Sequence, residues 1–300
     1  NAERLLAHYE RIADAPDAVA RLRKFVLDLA VRGKLVPQDP SEEPASELMR
    51  RIQAEKKARN RPIRLGTASI EKRLPPGWEV VTLADFALDV STGPFGSALH
   101  QSDYMVGGVP LVNPSHMIGD RIVADERVSV SKEIANKLSS YALRAGDVVM
   151  ARRGEVGRAA LVEIHQNGWL CGTGSFVVRF TDEVDRSFFL LLLRTTDLRR
   201  YLAGKAVGST MINLNHNILK GAELPIPPLA EQKRIVAKVD ELMALCDRLE
   251  TSRSERESKR DRLTAATLAR INAPDSDSEI FAKNARFALD NVSAIAARPD

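Results

Sequence analysis

The sequence predicts an α+β fold class: a mixed α/β domain flanked by long helices able to form coiled coils. Three observations predict it. Short apolar runs broken by Gly and Pro occupy residues 78–180, as strands do. Residues 1–58 carry apolar positions at helical spacing, and residues 229–272 contain neither Gly nor Pro. Four segments follow: 1–75 helical and ending in a basic linker, 76–227 the α+β domain, 228–272 one long helix, and 273–300 the start of a second repeat unit.

In the first segment, Leu5, Leu6, Tyr9 and Ile12, then Val19, Leu22, Phe25, Val26 and Leu29, mark two helices joined at Ala15-Pro16-Asp17. Gly33 is placed to end the second, and Pro37 and Pro40 prevent its continuation. A third helix is predicted over 41–59 with Pro44 near its start, and a basic linker over 59–73. The turn Leu74-Pro75-Pro76-Gly77 marks a boundary.

The middle segment predicts strands at 80–83, 109–113, 127–130, 147–151, 159–164 and 175–180. Helices are predicted at 132–140 and 185–202. The latter sets Phe188, Phe189, Leu192, Leu193 and Leu198 against a sheet, with Arg194, Arg199 and Arg200 opposite.

Pro227 and Pro228 stop this domain and sit where a helix begins, since a first-turn proline lacks only an N–H that has no helical partner. Glu231 falls near the positive end of the helix dipole. Ile235, Val239, Leu242, Cys246 and Leu249 recur at spacings of four and three, a coiled-coil seam for a partner helix. The seam turns polar at Arg253, Arg256 and Arg260 and apolar again at Leu263. At 1.5 Å per residue the helix is roughly 65 Å long. Beyond it, Asn284, Ala285, Leu289, Ile295, Ala296, Pro299 and Asp300 repeat the identities at Asn1, Ala2, Leu6, Ile12, Ala13, Pro16 and Asp17 without gaps. This repetition predicts one unit of a two-unit protein, or a natural half.

Composition narrows the function. Hydrophobic residues make up 44% of the chain, enough for real cores. No apolar run reaches membrane-spanning length and the first ten residues lack a signal core, which places the chain in the cytoplasm without a membrane partner. Cys171 and Cys246 stand apart, with no paired Cys or His at metal spacing, so neither a disulfide framework nor a metal site is expected. Lys and Arg exceed Asp and Glu by five over residues 1–75, fall one short over 76–227, and balance over 228–300. A nucleic-acid reader of this charge relies on a few placed cations and on phosphate contacts from a larger complex.

No catalytic signature stands. Asn113-Pro114-Ser115-His116 shares its first two residues with the Asn-Pro-Pro-aromatic motif of amino-methyltransferases but has Ser and His where that motif needs Pro and a ring. Cys171-Gly172-Thr173-Gly174 leads into a strand, whereas a cofactor turn leads into a helix. Gly33-Lys34 lacks the rest of a phosphate-binding loop, and Asp147 and Glu155 lack the Glu-x-Lys of a nuclease. His8, His165 and His216 read as structural, and Met211 as a packing residue.

What remains are four polar, Gly-rich loops suited to DNA. Gly96, Ser97 and His100 lie in a stretch where glycine lets backbone amides approach phosphates. Asn113, Ser115 and His116 carry groups suited to base edges. Arg152 and Arg153 offer forks that pair bidentately with guanine, and Glu155 can accept from cytosine. Lys205, Ser209, Thr210 and Asn213 form the fourth loop. The competing expectation is a coiled-coil assembly scaffold whose middle domain binds protein, which its neutral charge favours.

The stretch Leu224-Pro225-Ile226-Pro227-Pro228-Leu229-Ala230-Glu231-Gln232, followed by a heptad helix, resembles the region after a target-recognition domain in type I restriction-modification specificity subunits. Residues 22–38 with Glu43-Pro44-Ala45-Ser46-Glu47-Leu48 resemble their helical region. Leu74-Pro75-Pro76-Gly77-Trp78 resembles the start of the recognition domain, and Val207-Gly208-Ser209-Thr210 a loop near its end. The resemblance implies a non-catalytic subunit reading one half of a bipartite double-stranded DNA target, with helices that set the gap between half-sites. It implies partners too: methyltransferase (modification) subunits using S-adenosylmethionine, and motor-nuclease (restriction) subunits using ATP and Mg. The chain itself would hold no cofactor. With one recognition domain where the family has two, a second copy of the chain is a further expected partner.

Overall fold

A computed structural model describes residues 17–59, 74–94, 98–155, 157–205, 214–272 and 277–292. The chain forms two compact units, residues 26–239 and residues 1–25 with 240–300, and both divisions fall inside helices.

The larger unit holds the mixed domain. Strands β2 (Asp89–Thr92), β11 (Ser175–Arg179), β8 (Val148–Ala151) and β9 (Ala159–Leu161) form an antiparallel sheet in that order. All four residues of β8 are buried, so this sheet is covered on both faces. Val149, Ala151 and Val177 alternate onto one face, packing with Val112, Met117, Leu143, Val162 and Cys171. Beyond the other end of β11, Phe180 meets Phe86 and Phe189 edge-on, with centroids 5.6 and 4.9 Å apart. Burial of such a ring stabilises by about 1.5–3 kcal/mol.

A second sheet runs β10 (Leu170–Cys171), β4 (Val109–Val112), β7 (Ser129–Val130), β3 (Tyr104–Met105), with β10 parallel to β4. Its core is Leu99, Leu111, Val130, Leu138 and Leu170. Strands β5 (Met117–Ile118) and β6 (Arg121–Ile122) make a small hairpin.

The sequence predicts one helix over 185–202, but two form: α5 (Arg186–Arg194) and α6 (Thr196–Lys205). Thr195 separates them at φ −70°, ψ 146°. Its hydroxyl donates to the Leu192 carbonyl at 2.7 Å and accepts from the Leu198 N–H at 3.4 Å, ending one helix and capping the next. Asp185 caps α5 by accepting from Ser187 and Phe188. Helix α4 (Lys132–Lys137) starts at Ser131, and α7 (His216–Lys220) at Asn215, by the same means.

The domain is closed where it opens and ends. Strand β1 (Glu79–Thr82) pairs antiparallel with β12 (Glu223–Ile226), Glu79 opposite Ile226. Helix α8 (Leu229–Ile271) starts immediately after. Its Glu231 accepts from the Trp78 indole at 3.0 Å and from the Gln38 amide at 2.6 Å. Gln232 donates to the Pro227 carbonyl at 2.9 Å. Helix α2 (Ala45–Ala58) is tied in through Ala45, whose N–H donates to the Gly77 carbonyl at 2.8 Å. Lys56, fully buried, donates to the Ala84 and Ala87 carbonyls around the short helix α3 (Leu83–Phe86), and burial lowers its pKa. Residues 26–59 thus share a compact unit with the mixed domain.

Helix α1 (Ala18–Ala30) buries Val26, Leu27 and Ala30 but leaves Leu22 and Phe25 exposed. Gly33, at φ +62°, follows it, and a Cβ there would lie 2.3 Å from the Pro75 ring. The helix predicted before α1 and the linker over 60–73 lie outside the described residues. On α8, burial follows Ile235, Val239, Met243 and Cys246, with Leu242 half-buried and Leu249 44% exposed. Farther along, Arg253, Glu257, Arg260 and Thr264 are half-buried and Thr267 is buried, while Arg256 is exposed.

In the smaller unit, Arg23 reaches Asp247 at 2.5 Å and Glu250 at 3.0 Å. Helix α9 (Ser278–Asp290) lies against the end of α8, with Asn284 donating to the Arg270 carbonyl at 3.0 Å and the Arg270 guanidinium 4.2 Å from the Phe287 ring centre.

Candidate nucleic-acid interface

Antiparallel pairing puts the C-terminal ends of β2 and β8 beside the N-terminal ends of β11 and β9. Thr92 is opposite Phe176, Ser175 opposite Ala151, and Met150 opposite Ala159. The ends of β4 and β10 arrive at the same place, because the Gly172 N–H and the Ser175 hydroxyl both donate to the Val112 carbonyl, at 3.0 and 3.3 Å. The loops after residues 92, 112 and 151 therefore emerge together.

Two glycines allow this convergence. A Cβ on Gly93 would lie 2.1 Å from the Gly172 carbonyl oxygen, and one on Gly172 would lie 2.1 Å from Asn113 Oδ1. Only side-chain-free residues fit this three-way contact. Arg153 and Pro114 flank Gly174, each with a carbon 3.7 Å from where its Cβ would sit.

Among the predicted residues, Arg153, Glu155, Ser115 and His100 are exposed. Arg153 makes no ion pair among the described residues. Arg152 is half-buried: its Nε donates to the Leu214 carbonyl at 3.2 Å and its guanidinium lies 5.8 Å from the Phe176 ring centre. The Leu214 N–H donates back to the Arg152 carbonyl at 2.9 Å. Thus the segment leaving the fourth loop is held to Arg152. Gly96, Ser97, Ser209, Thr210 and Asn213, and the Lys205 side chain, lie outside the described residues.

His116 faces inward. Its Nδ1 lies 2.9 Å from the Leu111 carbonyl and 3.3 Å from the Asn113 backbone nitrogen, so the ring closes its own turn. Asn113 is half-buried, and its Oδ1 has no hydrogen-bond partner among the described residues. Glu155 accepts from Arg158 at 2.7 Å and lies 3.9 Å from Arg199. The Arg158 hydrogen bond holds its carboxyl below the usual range.

Sequence reasoning passed over Arg158, which also donates to the Pro114 carbonyl at 3.4 Å and so links two of the loops. The signal lay in the two glycines between it and Arg153: Gly154 at φ +76° and Gly157 at φ +90° hold the left-handed backbone that turns need.

The remaining candidates are internal. Asp147 is buried against Arg179, 3.1 Å away, and burial pushes its carboxyl up despite that partner. His216 Nε2 lies 2.5 Å from the Val90 carbonyl, and its ring stacks on Phe176. Burial pushes the Cys171 thiol up to about 12, far from a reactive thiolate. No described helix is long and apolar enough to cross a membrane.

Two four-stranded sheets and a small hairpin, closed by the β1–β12 pair, present convergent polar loops at one end. The chain belongs to the family of the type I restriction modification DNA specificity domain, whose model matches residues 75–256. It is 31% identical over 254 residues to the type I restriction enzyme EcoAI specificity subunit of Escherichia coli, covering 77% of this chain and 41% of that protein. It is 28% identical over 284 residues to the EcoEI specificity subunit of the same organism, covering 90% and 46%. The chain thus spans less than half the length of these relatives. A chain from a structural study of complex assembly and conformational transition of the type I R-M system shares the fold, with a TM-score of 0.51 at 23% identity, covering 88% of this chain and 56% of that one.

Proposed function

We propose that this chain is a non-catalytic DNA-specificity subunit, whose mixed domain reads one half of a split double-stranded target and whose helices dock methyltransferase subunits. The observation that carries the reading is the convergence of the chain leaving residues 92, 112 and 151 at one end of the sheet, with Arg153 exposed there. A rigid base beneath adaptable loops suits base readout, since the loops can vary while the strand ends stay fixed.

The roles of the two adjacent arginines separate. Arg153 is the base reader, a guanidinium fork suited to the O6 and N7 edge of guanine. Arg152 is a positioning residue that holds the chain at Leu214. His100 and Ser115, both exposed, supply further polar contacts, with Gly96, Ser97, Lys205, Ser209, Thr210 and Asn213 proposed alongside them.

Exposed apolar side chains support the docking role: Leu22 and Phe25 on α1, Leu245 and Leu249 on α8. Methyltransferase, motor-nuclease and second-copy partners, and the S-adenosylmethionine, ATP and Mg that the enzymes among them would use, are part of this proposal. The family match leaves the assembly-scaffold alternative without support.

The test is the methylation specificity of the assembled complex carrying Arg153→Ala or Arg152→Ala. R153A is expected to relax one position of the half-site, at a cost of about 1–3 kcal/mol in discrimination. R152A is expected to weaken binding without relaxing a single position. Unchanged specificity with R153A would refute the assignment.

A further inference from the structure

Beside the convergent loops lies a second feature that base reading does not use. An open cleft of about 430 Å³ is bounded by the β5–β6 hairpin, the turn before β9, and helices α5 and α6. Three guanidiniums from three elements enter it: Arg158 from the turn, Arg194 from the end of α5, and Arg199 from α6. Two carboxylates face them, Glu155 paired with Arg158 at 2.7 Å and Arg199 at 3.9 Å, and Asp120 paired with Arg194 at 3.4 Å. Each of these side chains is between 35% and 51% exposed.

Ion pairs this exposed hold weakly, because water and salt screen them and long side chains lose entropy in forming them. Two of the three distances exceed those of a good charge-assisted hydrogen bond. A phosphodiester oxygen carries the same charge as a carboxylate and offers a guanidinium the same paired acceptors. Arg158 belongs to both places, since it also holds the Pro114 carbonyl of the loop face. Three cations against two anions leave the cleft positive, within a domain whose overall charge is nearly balanced.

We propose that this cleft is a DNA backbone site in which Glu155 and Asp120 occupy the arginines until phosphates of the bound duplex displace them. The inference rests on the recognition reading and adds its regulation. The two carboxylates keep the arginines against a duplex that leaves the Arg153 loop unsatisfied, and yield to phosphates only where that loop holds the duplex in place. Glu155 and Asp120 thereby suppress sequence-independent binding.

The experiment measures binding of the assembled complex to its target duplex and to a scrambled duplex of equal length, across a salt series, for Glu155→Gln, Asp120→Asn and the double variant Arg194→Ala with Arg199→Ala. E155Q and D120N should each tighten scrambled-duplex binding roughly 3- to 10-fold and steepen the log affinity against log salt slope by about 0.9, one phosphate contact. The ratio of target to scrambled affinity should fall. The double arginine variant should weaken both duplexes and flatten the slope by up to about 1.8. Scrambled-duplex affinity and slope unchanged in both E155Q and D120N would overturn the proposal. If R153A leaves discrimination intact while E155Q still tightens scrambled binding, the base-reading assignment fails and the backbone site stands. The converse pair of results removes only the backbone site.

Discussion

The indole Nε1–H of Trp78 donates to Glu231 Oε2 at 3.0 Å, across 153 residues of sequence. This one contact joins the residue that opens the mixed domain to the first turn of the helix that leaves it. Gln38 binds the other Glu231 oxygen at 2.6 Å, so the carboxylate gathers three segments. The motif through which the sequence resembles its family is thus a structural clasp, and its chemistry is internal.

Glu231→Ala should destabilise the chain by about 1–3 kcal/mol, because it leaves a buried indole N–H and a carboxamide without their acceptor. Denaturant unfolding followed by Trp fluorescence checks this. A loss below about 0.5 kcal/mol would show that water replaces the carboxylate at no cost.

The same carboxylate gives stability a pH dependence. Burial raises the Glu231 pKa in the folded chain above the 4.5 of the free group, more than Gln38 and Trp78 lower it. The folded state then holds the proton more tightly, so the contribution is fully present below pH 4.5 and is lost as pH rises through the folded pKa. The stability difference between wild type and Glu231→Gln should therefore move against the wild type from pH 4 to pH 7. A difference that is flat, or moves the other way, would contradict the raised value.

Arg179→Ala should cost more, about 3–5 kcal/mol, since Asp147 would stay buried without its cation. Urea unfolding of Arg179→Ala, Asp147→Asn and the double variant separates the pair energy from the cost of an orphaned charge. The double variant is expected to recover part of the loss.

Gly93→Ala tests the convergence of the loops. The added Cβ would sit 2.1 Å from a backbone oxygen of Gly172, which cannot swing aside as a flexible side chain would. A destabilisation of about 1–3 kcal/mol is expected, with loss of DNA discrimination in the assembled complex. Wild-type stability and discrimination together would show that the loops do not depend on this contact.

Much of the fold was legible because its signals were local. The absence of Gly and Pro after Pro228 marked α8 to within a residue of its observed end at Ile271. Apolar runs marked β8, β9 and β11 because those strands are buried. Strand β2 (Asp89–Thr92) escaped, since Asp89, Ser91 and Thr92 carry no apolar pattern and the strand is held by pairing with β11. Thr195 was read as mid-helix because its role depends on the packing of α5 and α6.

The candidate site was legible as loops but not as a place. Glycine and arginine pointed to the 152–155 turn, yet adjacency with Asn113 and Gly93 comes from strand register, which no local signal carries. The inward turn of His116 and the pairing of Glu155 with Arg158 likewise depend on contacts made only in the folded chain.

The most direct test is methylation mapping of genomic DNA from cells carrying the methyltransferase proposed as partner, with and without the gene for this chain. A split motif with a fixed gap, methylated only when the gene is present, is the expected result, and a palindromic motif would add that two copies of one recognition domain act together. Identical methylation in both strains would contradict a specificity role.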